Sequence, residues 1–189
     1  MSKAAGSIIV ISGPSGAGKN TVYDEIKKKS DKIVQTVSVT TRAPRINEKD
    51  GVDYYFVTEE QFRKLIDNNE FIEYVQYGKN YYGTLKSEVE RLASDGNIVI
   101  LVIEVEGAKR IREAFPESKS VFLVPSSVEE LERRIRLRGE NTEEELQTRI
   151  GIAVSEMSLM NDYDYCVYND DLDTCVNEVY NIINNISKG

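Results

Sequence analysis

The feature that most constrains this chain is a nine-residue stretch, GPSGAGKNT, from Gly13 to Thr21. It follows directly on the β-branched run Ile8, Ile9, Val10 and Ile11, and it opens a helical pattern in which Val22 and Ile26 share a face. A continuous β-branched run is the pattern of a strand buried on both faces of a parallel sheet. Strand, glycine-rich loop and helix in that order put consecutive backbone N–H groups at a helix N-terminus, where they can surround a phosphate while Lys19 adds a point charge. Read blandly, Gly13, Gly16 and Gly18 make a tight turn and Lys19 is solvated. Against this, a cation in a first helical turn is disfavoured by the helix dipole unless an anion is bound there. The strict GxxxxGK[ST] pattern is broken, because Asn20 stands where a hydroxyl normally reaches Mg²⁺ and Thr21 comes one place later.

The same rhythm recurs and sets the fold class: α/β, with a parallel sheet core flanked by helices. Strand signals lie at Ile33 to Val39, in NIVILVIEVEG, at Val121 to Val124 and at Cys166 to Tyr168. Between the first two of these signals, Thr58 with Gln61 forms a capping box for a helix to about Asp67, and FIEYVQYGKNYYG reads as a hairpin with Gly78 and Asn80 in its turn. These make a small β-rich insertion. Helices are expected at Ser87 to Ser94, after Ser127 with Glu130, from Thr142 with Glu145 toward Asp162, and over Leu172, Val176, Val179 and Ile183.

Charge and cysteine content exclude several classes. A balance of 24 basic against 32 acidic residues, net −8, argues against a dedicated duplex nucleic-acid binder. Two cysteines and no histidine leave no disulfide framework and no Cys/His zinc set. The first apolar run is broken by Gly13 and Pro14 and is too short for a signal-peptide core or a membrane span, so a cytoplasmic location is expected.

TTRAPR from Thr40 to Arg45, GVDYYF, FIEY, NYYGT, an acidic strand end and RxxxRG at Arg134 to Gly139 follow the phosphate loop in order. As an ordered set over nearly the whole length, they make the chain resemble the guanylate kinase family. The resemblance implies transfer of a phosphoryl group from MgATP to GMP, with ATP over Gly13, Pro14, Ser15, Gly16, Ala17, Gly18, Lys19, Asn20 and Thr21. It implies a GMP site at Ser38, Arg42, Arg45, Tyr54, Glu73, Tyr82, Thr84 and Glu104. Arg134, Arg138 and Asn169 fall to the ATP side, and Lys19, Arg45, Arg138 and Arg149 to catalysis. In division of labour it implies a core of 1–37, 85–134 and 150–189, a GMP-binding insertion at 38–84 and a lid at about 135–149.

The chemistry of these types is consistent with such roles. Guanidinium groups bind phosphate oxygens in pairs, and an ionised carboxylate accepts both donors that guanine presents at N1 and its exocyclic amine. Taken singly, Arg42 and Arg45 could instead pair with Glu48 and Asp50, Glu73 could face solvent, and Arg133 and Arg136 are expected to pair with neighbouring glutamates. Many family members carry an acid two positions before Glu104, where this chain has Val102. Residues that would hold a metal are not assigned, nor is an oligomeric state. A second reading, from another class, is a guanylate-kinase-like module that has lost catalysis and binds phosphoproteins. Retention of the glycines, Lys19 and the lid arginines weighs against it.

Overall fold

A computed structural model describes residues 6–77, 79–137 and 143–187. The expected hairpin Gly78, Arg138, Gly139 and the expected cap Thr142 lie outside the described residues.

The first strand, β1 (Ser7–Ser12), carries Ile9, Val10 and Ile11 fully buried, as a β-branched run in a covered sheet must. It leads through the glycine-rich loop into α1 (Lys19–Lys27), whose Val22, Tyr23 and Ile26 pack inward. Next come β2 (Ile33–Gln35), β3 (Val39–Thr40) and β4 (Tyr55–Phe56). Helix α2 (Glu59–Asp67) starts at the expected capping box, with Thr58 accepting from the Gln61 N–H and Gln61 accepting from the Thr58 N–H. The hairpin β5 (Phe71–Tyr77) and β6 (Asn80–Leu85) then leads into α3 (Lys86–Ser94) and β7 (Ile98–Val102). The remainder is α4 (Val105–Ala114), β8 (Lys119–Val124), α5 (Val128–Leu137), α6 (Glu143–Met157), a 3-10 turn at Ser158–Asp162, β9 (Tyr165–Tyr168) and α7 (Leu172–Ile186).

The core sheet is parallel throughout, in the order β2-β7-β1-β8-β9, so the loop after β1 emerges from the C-terminal edge of its central strand. That is the edge at which open α/β sheets bind ligands. Two apolar layers cover it. One joins Ile9, Ile11 and Ile100 to α1 and α7; the other joins Val10, Val99 and Phe122 to α3 and α4. A second sheet, in the order β4-β3-β6-β5, has its own smaller cluster around Val39, Phe62 and Phe71.

Four sequence expectations need correction. The run from Ile33 to Val39 is two strands in two sheets, because the apolar signal of one passes into the other with only Thr36 to Ser38 between them. Helix α4 has no counterpart in the sequence reading: the strand expected over NIVILVIEVEG ends at Val102, and its last residues, Val105 to Gly107, open a helix in which Ala108 and Ile111 bury one face. The α6 helix ends at Met157 and the chain reaches Asp162 as a 3-10 turn. On α7, Cys175 rather than Leu172 joins Val176, Val179 and Ile183 in the core.

Candidate active site

The loop from Gly13 to Gly18 is shaped by close packing as well as by its own glycines. Gly13 has φ 145°, and a Cβ there would fall 2.1 Å from the Leu123 carbonyl oxygen, so only glycine fits against β8. Gly18 closes the loop in the left-handed region at φ 87° and serves as N-cap of α1 without any side-chain cap. No acidic residue stands in the first turn of α1, so its leading N–H groups keep their positive field for an anion.

The Lys19 ammonium donates to the Gly13 carbonyl at 2.7 Å and to the Glu104 carboxylate at 3.0 Å. Its side chain is only 10% exposed, whereas that of Glu104 is 70% exposed. Glu104 is the N-cap residue of α4 but makes no capping bond, which leaves its carboxylate free to meet Lys19. The structure therefore sets Glu104 against the phosphate loop. Val102, at the position where an acid was expected from the family pattern, is a partly buried member of the core layer that also lines the cleft.

Helix α6 approaches the loop from the other side. Arg149 donates to the Ser15 hydroxyl at 3.4 Å, and Glu156 lies two turns further along the same helix. Burial pushes the Glu156 carboxyl above its ordinary range, with the neighbouring Glu104 adding to the effect and Lys19 opposing it. Glu156 escaped the sequence reading; the seven-residue spacing from Arg149 was the available signal, since it returns to the same helix face.

A cleft of about 810 Å³ runs from this loop to the second sheet, with Lys19, Glu104 and Val102 on one side and Ser38, Asp53 and Tyr54 on the other. Beyond it, Arg42 donates to both Glu48 oxygens, at 2.8 and 3.0 Å, and the Arg45 N–H donates to Glu48 at 2.7 Å. The Arg42 hydrogen bonds hold the Glu48 carboxyl below its ordinary range. Arg42 also lies over the Tyr54 ring at 5.5 Å, and Tyr54 meets Tyr82 edge to face at 6.1 Å. Arg42, Tyr54 and Tyr82 are thus brought together. The fork already grips a two-oxygen anion, the Glu48 carboxylate, while the exposed Arg45 guanidinium makes no hydrogen bond or ion pair among the described residues. Of the two acids considered as partners, Glu48 is the one engaged; Asp50 accepts the Phe56 N–H instead.

Glu73 owes its place to a break in the hairpin. Phe71 opposes Leu85 but Glu73 opposes Thr84, an irregularity that leaves Ile72 unpaired. With strict alternation Phe71 and Glu73 would share a face. The bulge instead sends Phe71 into the small cluster and Ile72 into the main core, and sets Glu73 beside Thr84, whose hydroxyl donates to it at 2.7 Å. Glu73 is not solvent-facing, and its burial pushes the carboxyl above its ordinary range despite that bond.

On the far side of the phosphate loop, a recess of about 330 Å³ is lined by Gly18, Thr21, Arg134, Leu137, Asn169 and Asp170. Asn169 is buried, and its amide donates to the Ala17 carbonyl at 2.8 Å, so it braces the loop. Arg134 donates to the Asn169 carbonyl at 2.7 Å and to Glu130 at 2.6 Å. Hydrogen bonds from Arg133 and then Arg134 push the Glu130 carboxyl down to about 2. Arg133 and Arg136 are paired with glutamates, as expected. Arg138, assigned to the same side, lies outside the described residues.

Residues 5–186 match the family model described as guanylate kinase. The chain is 49% identical over 176 residues to a guanylate kinase of Prochlorococcus marinus subsp. pastoris, covering 93% of this chain and 96% of that one. It is 44% identical to a guanylate kinase of Clostridioides difficile, covering 94% and 87%. A crystal structure of guanylate kinase from Anaplasma phagocytophilum superposes with a TM-score of 0.76 at 34% identity, covering 100% of this chain and 90% of the other.

Proposed function

The chain belongs to the guanylate kinase family, and on that premise we propose that two anion-binding stations, facing each other across one cleft, divide the work of the reaction. The enzyme transfers the terminal phosphoryl group of ATP to GMP, giving ADP and GDP. The observation that carries the division is the cleft itself, with the Lys19 loop at one end and, at the other, Tyr54, against whose ring Arg42 lies.

At the first station, the open N–H groups of the loop and of the first turn of α1 receive the ATP phosphates, and Lys19 neutralises charge on the moving group. The adenine side is assigned to the recess at Asn169 and Arg134, which also fix the shape of the loop. At the second, Arg42 exchanges Glu48 for the GMP phosphate, joined by Arg45, Tyr54 and Tyr82. Glu73 and Thr84 receive the base, with Ser38 on the cleft wall. Arg149 braces Ser15, and with Arg138 completes the charge field around the transferred group. In phosphoryl transfer a protein chiefly positions the reactants and stabilises spreading negative charge, so no covalent intermediate is required.

No group of three or more His, Cys, Asp or Glu side chains able to hold a metal occurs among the described residues. This donor set fits a Mg²⁺ that arrives with ATP and takes most of its ligands from phosphates and water. Glu104 and Asn20 are the residues that would hold it, Glu104 replacing the acid that Val102 cannot supply. The ion would supply neutralisation of the phosphate oxygens. For the chain as a whole we divide core, GMP-binding insertion (38–84) and lid (about 135–149) as the resemblance implies. The free thiols Cys166 and Cys175 suit a reducing cytoplasm, and no described helix is long and apolar enough to cross a membrane.

Relatives bearing the enzyme's name at 41% to 49% identity leave the reading as an inactive phosphoprotein-binding module without support. The direct test is ADP release from ATP and Mg²⁺ with GMP, AMP, CMP or UMP as acceptor. GMP should support turnover at least about 100-fold faster than the other three, because a buried carboxylate matched to two donors is left unpaired by the wrong base. Turnover with none of them, from folded protein, would overturn the assignment. Glu73→Gln keeps the shape but turns a donor toward guanine; it should raise the KM for GMP roughly 10- to 100-fold and leave that for ATP unchanged.

A further inference from the structure

Gripping guanine by its N1–H and its exocyclic amine takes both oxygens of a carboxylate, so the orientation of the Glu73 carboxyl group matters as much as its presence. The irregularity of β5 between Phe71 and Glu73 turns two side chains toward the core. Ile72 enters the apolar layer that contains Ala108 and Ile111 of α4, which docks β5 on that helix. Glu73 meets the same helix at Gly107. A Cβ built on Gly107 would stand 3.4 Å from both Cγ and Oε2 of Glu73 and 3.5 Å from its Cδ, and these are the three nearest atoms it would meet. The other oxygen, Oε1, accepts the Thr84 hydroxyl at 2.7 Å.

Glycine is a costly choice at this position. Gly107 lies within α4 and, unlike Gly13 and Gly18, is not among the glycines with positive φ, so its backbone conformation does not require it. Inside a helix glycine is less stable than alanine. What the missing side chain leaves is room, and the group lying in that room is the Glu73 carboxyl. We propose that Gly107 is a positioning residue for base selection: by withholding a side chain it lets the Glu73 carboxylate lie with Oε1 on Thr84 and Oε2 along α4, set to accept both donors of guanine. The proposal rests on the reading of Glu73 as the guanine-binding carboxylate. A methyl group at 107 would just touch the carboxyl, whereas any longer side chain would reach into the place the carboxyl occupies and force it aside.

The experiment is steady-state kinetics of the full chain with ATP and either GMP or IMP as acceptor. It compares wild type with Gly107→Ala, Gly107→Ser, Gly107→Leu, Glu73→Ala and the double variant Gly107→Leu with Glu73→Ala. IMP keeps the N1–H of guanine and lacks its exocyclic amine, so the preference for GMP over IMP reads whether both oxygens are engaged. The KM for GMP should climb with the reach of the new side chain: under about threefold for alanine, about tenfold for serine and about 10- to 100-fold for leucine, the range for losing hydrogen bonds to a charged group. The preference for GMP over IMP should fall along the same series. The value of kcat at saturating GMP and the KM for ATP should stay at wild-type levels. In the Glu73→Ala background, leucine at 107 should change the KM for GMP less than about twofold, because the group it displaces is gone.

If serine and leucine both leave the KM for GMP at the wild-type value while Glu73→Ala is impaired, the proposal falls and the reading of Glu73 stands. A rise that persists in full in the Glu73→Ala background, or that is shared by kcat and the KM for ATP, would mean that Gly107 serves only the fold of α4 and would also overturn it. Should leucine prevent folding, serine carries the same comparison in both backgrounds. An unchanged KM for GMP in Glu73→Ala would remove the reading of Glu73 and the proposal with it.

Discussion

Lys19→Ala is expected to lower kcat by about 10³-fold or more while leaving GMP affinity near that of the wild type. The lysine is nearly enclosed, and its ammonium is fixed by the Gly13 and Pro14 carbonyls and by Glu104. Alanine removes the point charge from the place where negative charge accumulates during transfer. It also leaves the exposed Glu104 carboxylate uncompensated beside incoming phosphates. None of the residues gripping the Arg42 cluster touches Lys19, so titration calorimetry with GMP alone should give an unaltered dissociation constant. Equal loss of transfer and of GMP binding would show that the two stations are not separate.

The second large effect concerns stability and is local. Phe62 is fully buried, stacks on Phe71 at 4.4 Å between ring centres and meets Tyr81 at 5.4 Å. With Val39 and Phe71 it supplies the buried heart of the small sheet's cluster. Phe62→Ala should cost about 3–5 kcal/mol through lost burial and the cavity left behind. So small a cluster cannot close over such a cavity, and the cost should fall on the second sheet. The expected signature is loss of hydrogen-exchange protection across β3, β5 and β6, with protection in β1, β7 and β8 retained. GMP binding should fail while ATP binding survives. Uniform loss of protection in both sheets would instead mean that the molecule unfolds as one cooperative unit.

The two variants also show where the sequence was informative. The phosphate loop could be read locally because its requirements are local: Ile8 to Ile11 make a strand, glycines permit left-handed backbone and Lys19 opens a helix. The α2 capping box was legible for the same reason, as Thr58 and Gln61 satisfy each other's backbone groups within one turn. Helix α4 was not legible, because its first residues continue the apolar alternation of the strand before it and its short buried face is defined only by the sheet it covers. Glu156 was missed because its one mark in the chain is the seven-residue spacing from Arg149; what surrounds it, Glu104 and Lys19, is far away in sequence.

What the sequence alone determined was the alternation of buried strands and helices, the anion-binding loop and, by an ordered set of motifs, the family. The tertiary structure decided which charges meet. It set Glu104, the N-cap residue of α4, against Lys19, and made Asn169 and Arg134 braces of the loop. Through one bulge in β5 it buried Glu73 against α4 rather than leaving it in solvent. The physical reason is that backbone conformation depends on near neighbours, whereas the ionisation and orientation of a side chain depend on whatever the fold packs around it. At Glu73 that is a threonine eleven positions on and a helix of the core.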